Sequence, residues 1–205
     1  MASLKTGAGT WGGGGSPYAI GSKKLGMWLF ILSDTLTFTV MLMAYSYVRI
    51  ANPDWPRPFD GHSIFLASVM TLCLLSSSVT MVFAVLNAHR GNRKQTVRWM
   101  IATIIGGLAF VVLHTNEWLG LIGQGVTPFG NPWDVPLFGA TFFALTGLHM
   151  THVTLGVIYL AVVAWGFNGG RFTDEDVEVS GLYWHFVDLV WMFIFPLVYL
   201  MSNTV

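Results

Sequence analysis

Residues Leu182 to Trp191 read LYWHFVDLVW, and the run stays apolar through Phe195, Pro196 and Tyr199 towards the C-terminus. A histidine and an aspartate inside such a run are expensive in hydrocarbon, so each requires a reason. His185 and Asp188 stand at i,i+3, which places them on one helix face where they can share partners. That face therefore turns to protein rather than to lipid. On the residues alone, a buried polar pair that holds helices together is the stronger reading, because polar side chains commonly serve as packing contacts between membrane helices.

This stretch is one of five. Runs with few or no charges cover Leu25 to Val48, Ser63 to Ala88, Thr96 to Leu119, Leu137 to Phe167 and Ser180 to Ser202, each longer than the ~20 residues that cross a bilayer as a helix. Composition agrees, with 54% hydrophobic and 10% charged residues and a mean hydropathy of +0.61. The expected fold is all-α, a polytopic membrane protein built as a bundle of five transmembrane helices. Polar residues are too few to coat a water-soluble bundle. The runs also lack alternation and are too long for the ~10-residue strands of a membrane barrel.

One membrane domain, residues 25–205, fills nearly the whole chain. Residues 1–24 carry six glycines from Gly7 to Gly15 and then Pro17, and read as a flexible Gly/Ser-rich cytoplasmic tail. They contain no apolar core of a cleavable signal, so the first span is expected to act as its own insertion signal. Cys73 is the only cysteine, which excludes an internal disulfide and a thiolate cluster. A net charge of zero leaves no electrostatic footprint for nucleic acid. No inverted repeat of the kind many transporters carry is visible.

Lysines and arginines set the expected orientation. Lys5, Lys23, Lys24, Arg90, Arg93, Lys94, Arg98 and Arg171 fall on one side of the spans and only Arg49 and Arg57 on the other, a clear positive-inside bias. The N-terminus is then cytoplasmic and the C-terminus periplasmic. Asp174, Glu175, Asp176 and Glu178 read as a solvated acidic loop before the last span, since acidic residues weigh little in topology.

Three helices carry polar pairs at i,i+3: His114 with Glu117, His149 with His152, and His185 with Asp188. Carboxylates and histidines at this spacing on facing helices can hold a di-metal centre, and two histidines on separate helices can ligate haem. Depth argues against one shared site. At the standard rise, Glu117 lies ~30 Å from the cytoplasmic start of its span, His149 ~18 Å from the periplasmic end of its own, and His185 ~7 Å from the cytoplasmic end of the last. Metal bonds of ~2.0 to 2.2 Å cannot bridge such offsets, so the three pairs are expected not to meet. A two-helix site from His149, His152 and Asp188 stays open, with structural hydrogen bonding the stronger reading.

Asp34, in LFILSDTLTF, is the isolated acid, ~13 Å below the cytoplasmic boundary if its helix begins at Leu25. An intramembrane carboxyl is a functional candidate by default, and Asp34 is the proton-exchange candidate here. Its bland alternative is a protonated donor to a neighbouring helix. Ser33 and Thr37 are its expected local hydrogen-bond donors, and His185 and Asp188, at similar depth, would complete a cytoplasm-facing polar cluster.

The motifs KKLGMWLFILSD with Asp34, Trp55-Pro56, LLSSSVT, HRGNRK, Glu117-Trp118, FGATFFALTGLHMTHVTLG and LYWHFVDLVW occur in that order. Together they resemble subunit III of the haem-copper terminal oxidases, the respiratory complexes that reduce oxygen to water, over nearly the whole chain after the tail. The resemblance implies a supporting subunit of the bacterial inner membrane without redox metals, the haems and copper lying in partner subunits. Such a subunit packs on subunit I alongside subunit II, binds phospholipid, meets further respiratory subunits or complexes, and sustains proton uptake and durability under turnover.

This chain looks like the shorter five-helix bacterial form that lacks the first two of seven helices, so the lipid cleft those helices help frame would be open or filled by lipid or another subunit. Asp34 stands where mitochondrial-type members have glutamate, and His114 where many have glutamine. The resemblance makes Asp34 the carbodiimide-reactive acid of the family. It makes Glu117, His149, His152, His185 and Asp188 buried structural groups.

Further expectations concern packing and lipid. Gly139, Gly147 and Gly156 would permit close helix approach. Trp28, Trp118, Trp184 and Trp191 would contact lipid or anchor at interfaces. Lys23, Lys24 and Arg98 are candidates for anionic lipid headgroups, with ordinary topogenic charge the stronger alternative. On the residues alone, an independent proton-coupled transporter or a histidine-ligated haem protein competes with the accessory subunit. The choice of cytochrome c or quinol as electron donor lies in subunits I and II.

Overall fold

Five apolar runs become five long helices, because in hydrocarbon the backbone satisfies its own polar groups most economically along one continuous ladder. The computed structural model describes residues 10–11, 14–15, 21–59, 61–135 and 137–201. The helices are α1 (Ser22–Ala51), α2 (Gly61–His89), α3 (Arg93–Gly123), α4 (Phe138–Asn168) and α5 (Asp174–Phe195), the last continuing into a π-helical turn, Pro196–Leu200. All five are long and apolar enough to cross a membrane. Thr10–Trp11 pairs antiparallel with Gly14–Gly15. The tail expected over residues 1–24 otherwise lies largely outside the described residues, except that Ser22, Lys23 and Lys24 already belong to α1.

The acidic segment before the last span differs from expectation. Asp174, Glu175 and Asp176 form the first turn of α5 rather than a loop, where their charge faces the positive end of the helix dipole. The Asp176 carboxylate also accepts from the Thr173 backbone N–H at 2.9 Å and from its hydroxyl at 3.0 Å, so the acids start the helix.

α2 ends in a tight turn. Gly91 takes a φ of +71°, a left-handed conformation that costs glycine little. It lets the Gly91 N–H reach Ala88 O and the Asn92 N–H reach Asn87 O, the paired bonds of a Schellman motif. The same pair of bonds closes α3 at Gly125 and α4 at Gly170.

α5 is the centre of the bundle. It packs against α1, α2 and α4, while α2 and α3 form a hairpin, α3 packs on α4, and α1 rests on α4 and α5. Of the most apolar window of each helix, 56% is buried in α5 and 6% in α1, so α1 is an outer helix presenting most of its surface to lipid or another chain.

The α2–α5 seam is pegged by indoles. Trp184 Nε1 donates to Ser77 Oγ and Trp191 Nε1 to Thr71 Oγ1, both at 3.0 Å. Trp184 and Trp191 are almost wholly buried, which corrects the expectation that they lie at an interface. Their N–H groups are satisfied by α2 hydroxyls instead of headgroups or water. Trp28 does stand exposed.

Small residues make this closeness possible. A Cβ on Gly156 would press on Tyr183 and Trp184, and one on Gly147 would press on Trp118, in line with close helix approach. Gly139 is covered by the Thr127 carbonyl of the α3–α4 loop rather than by a helix. Gly107, which the sequence reading passed over, receives the edge of Trp184.

Candidate functional site

The polar residues of the bundle gather in three places, and their grouping differs from the one their spacing suggested. In the first, Asp34 of α1 faces His152 of α4, with Oδ2 3.2 Å from Nε2. Leu148 O lies 2.8 Å from His152 Nδ1, and the Tyr183 hydroxyl of α5 donates to His152 O at 3.0 Å. Phe38 packs edge-on against the imidazole at 5.2 Å. The hydroxyls of Ser33 and Thr37 do not turn to Asp34. They donate to Phe30 O and Ser33 O of their own helix, the usual competition of short hydroxyl side chains with the ladder.

The second cluster joins α3, α4 and α5. His114 Nδ1 lies 3.3 Å from Glu117 Oε2, and the Tyr199 hydroxyl donates to the same oxygen at 2.6 Å. His114 stacks on Phe110 at 5.5 Å, and His149 stacks on Trp191 at 5.2 Å and meets Phe110 edge-on at 5.6 Å. The first pair and His149 therefore share one aromatic box, against the expectation that depth would keep them apart.

Helix ends explain the difference. His114 is 9 residues from the end of α3 at Gly123 and His149 11 from the start of α4 at Phe138, so counted from this common end they are nearly level. Depths counted from opposite ends of the two spans hide this, and α3 runs four residues past Leu119 to Gly123, which moves His114 deeper from that end. Tyr199 reaches the box through the π turn. Pro196 lacks the N–H the α ladder needs and its ring crowds the preceding turn, and the widened turn closes with Met201 N–H on Pro196 O at 2.9 Å.

In the third place, Ser78 of α2 lies 2.6 Å from His185 Nδ1, and the buried carboxyl of Asp188 lies beside the same residue. The cluster predicted for Asp34, His185 and Asp188 is thus divided, Asp34 turning to α4 and the other two to α2. The open two-helix site is divided as well, since His149, His152 and Asp188 each take different partners. Among the described residues, no three His, Cys, Asp or Glu side chains are grouped so as to hold a metal ion.

Two basic residues at the N-terminal end have protein partners. Lys23 pairs with Asp176 at 2.6 Å and Lys24 with Glu178 at 2.5 Å, tying α1 to α5. Their ammonium groups face protein acids while their side chains remain partly exposed. Arg98 is exposed. At the other end Arg49 donates to Leu197 O and to Met201 O, placing positive charge beside the carbonyl end of the π turn.

Reading the sequence singled out Asp34, Glu117 and the histidines but missed Ser78, Thr71, Tyr183, Arg49 and the role of Tyr199. One signal was present. Trp184 and Trp191 are seven residues apart and their acceptors Ser77 and Thr71 six, spacings of about two turns that keep donors and acceptors on facing stripes of two antiparallel helices.

Comparison with known proteins agrees with this architecture. The sequence matches the family model described as cytochrome c oxidase subunit III over residues 8–203. Cytochrome c oxidase subunit 3 of Alkalihalophilus pseudofirmus is 33% identical over 184 residues, 88% of this chain and 87% of the relative. The cytochrome bo(3) ubiquinol oxidase subunit 3 of Pseudomonas putida is 32% identical, over 87% of this chain and 85% of its own. The quinol oxidase subunit 3 of Bacillus subtilis is 32% identical, over 87% and 86%. With ordered motifs, five membrane-length helices and likeness across nearly its full length, the chain belongs to the cytochrome c oxidase subunit III family.

Proposed function

We propose that this chain is the accessory third subunit of a bacterial respiratory haem-copper oxidase, with haems and copper confined to partner subunits. The observation that carries this reading is similarity of equal strength to third subunits of both cytochrome c and quinol oxidases. A subunit common to oxidases with different electron donors serves what they share, namely oxygen reduction and its proton supply, rather than donor recognition. The chain packs on subunit I next to subunit II, with phospholipid filling the remaining surface of the bundle. Its exposed apolar side chains, such as Leu32, Leu36, Val40 and Met43 of α1, suit lipid or partner helices.

Its N-terminus is cytoplasmic and its C-terminus periplasmic by the charge bias, which puts Asp34 in the cytoplasmic half of the bilayer. There Asp34 is the proton-exchange group, backed by His152. Glu117, His149, His185 and Asp188 hold helices together. Neither a transporter nor an independent haem protein gains support from the family match. The test is an inventory, by mass spectrometry and visible spectroscopy, of what co-purifies with the chain in a lipid-preserving detergent. Haem-bearing oxidase subunits in constant ratio to it are expected. A chain that purifies alone with a haem band of its own would overturn the reading.

A further inference from the structure

The geometry around His152 counts protons. A neutral imidazole has one N–H and one bare nitrogen, and the bond made by either nitrogen fixes the role of the other. His152 Nδ1 lies 2.8 Å from Leu148 O. A carbonyl oxygen can only accept, so Nδ1 is the protonated nitrogen. Nε2 then presents a lone pair to Asp34 Oδ2 at 3.2 Å, and a carboxylate oxygen is also an acceptor. Two acceptors at that distance, both largely buried, require a proton between them.

We propose that Asp34 and His152 share one proton, and that this proton holds α1 against α4 in the interior of the bundle. With it, the pair is either carboxylic acid and imidazole or carboxylate and imidazolium, two forms that differ only in the side of the gap on which the proton sits. When the proton leaves to water, a carboxylate and a lone pair are left facing each other and push α1 outward. The neighbours leave this pair to itself. On α1, Ser33, Thr35 and Thr37 donate to backbone carbonyls of their own helix. On α4, His149 is stacked on Trp191, and on α5 the Tyr183 hydroxyl is given to the His152 carbonyl. No lysine or arginine contacts the pair among the described residues, the nearest α1 cations, Lys23 and Lys24, being held by Asp176 and Glu178. α1 makes no other polar side-chain link to α4 among the described bonds, so the shared proton acts at the point where this outer helix depends on it most.

The proposal deepens the reading of Asp34 as the proton-exchange group and rests on it for purpose, while its geometry stands alone. The experiment is nitrogen-15 NMR of histidine-labelled protein in the intact complex in lipid bilayers, with His152→Gln to assign the signal, across pH. The expected result is a proton bonded to His152 Nδ1 throughout, and a second, pH-dependent proton at Nε2 that couples to the Asp34 carboxyl. In Asp34→Asn the Nδ1 proton persists and the pH-dependent signal is lost, because the amide can donate to Nε2 without exchanging.

Amide hydrogen exchange over residues 33–38 should accelerate as the wild-type pair loses its proton and stay constant in Asp34→Asn. If that variant does not assemble, the wild-type spectrum decides by itself. A bare Nδ1 with a permanent N–H at Nε2 would overturn the proposal, as would exchange over α1 that ignores the pair's protonation. Proton uptake by the same complexes separates the two readings. A shared proton found together with uptake unchanged in Asp34→Asn would leave this proposal standing and overturn the proton-supply role.

Discussion

A tryptophan in a membrane helix has one hydrogen to give, and its destination decides whether the ring lies at an interface or in the core. Trp191 gives it to Thr71 within a box of Phe110, His114, His149 and Tyr199. Trp191→Phe removes that bond, worth about 0.6 kcal/mol in a bilayer, together with part of the buried ring, so it should cost roughly 1–2 kcal/mol. Trp191→Ala empties the box and should cost roughly 3–5 kcal/mol. Thermal unfolding in matched lipid measures both, and equal losses would mean that packing around Trp191 is irrelevant. At Gly107 a Cβ would come within 2.4 Å of the Trp184 ring, so Gly107→Val should displace that indole and leave Ser77 without its donor. A further outcome concerns chemistry: if Asp34 is the carbodiimide-reactive acid the family resemblance implies, Asp34→Asn removes most of the labelling, and undiminished labelling would transfer the role to Asp188 or Glu117.

Among the elements, α1 is the one whose position depends on polar contacts. It buries little of itself, yet Lys23 and Lys24 hold its first turn to α5, Asp34 meets α4 within the span, and Arg49 holds its last turn to the end of α5. Partly exposed ion pairs are worth roughly 0.2–1 kcal/mol each and weaken with salt. Replacing Lys23 and Lys24 together by methionine should therefore speed amide exchange in the first turns of α1 while leaving α2–α5 unchanged, and high salt should do the same to the wild type. Arg49→Met should loosen the other end, including the π turn that presents Tyr199 to Glu117. Loss of the whole fold on either change would show that α1 contributes more by packing than its exposure allows.

For the whole molecule, the described intramembrane acids and histidines gather inside the bundle, and the apolar outer surface is left for lipid and partner helices. Helix association in bilayers rests on packing and polar contacts rather than on a hydrophobic drive, so the subunit should be stripped by detergents that remove lipid. An oxidase depleted of this chain is expected to reduce oxygen at first, then to take up protons more slowly and inactivate sooner under turnover. Oxygen consumption followed against turnover number, with and without the subunit and across pH, checks this. Immediate and complete loss with haems spectroscopically intact would instead assign the chain a direct catalytic role.

Five spans, an all-helical fold and the family itself were legible from residue order, because the bilayer demands runs of ~20 apolar residues and tolerates charge inside them only where it has partners. Asp34, Glu117 and the intramembrane histidines stood out for the same reason. Which of them meet was not legible. Spacing of i,i+3 places two residues on one face of one helix but says nothing of the helix opposite, and depth counted along a span depends on where that span ends. The extension of α3 beyond its apolar run to Gly123 brought His114 level with His149. Antiparallel packing on α2 took His185 and Asp188 to Ser78, and the outer position of α1 took Asp34 to His152 instead. Residue order determined the membrane, the helices and the cost of every buried polar group; only the tertiary structure decided the partners that meet that cost, because partnership depends on helix offset and rotation, which arise from packing between segments far apart in the chain.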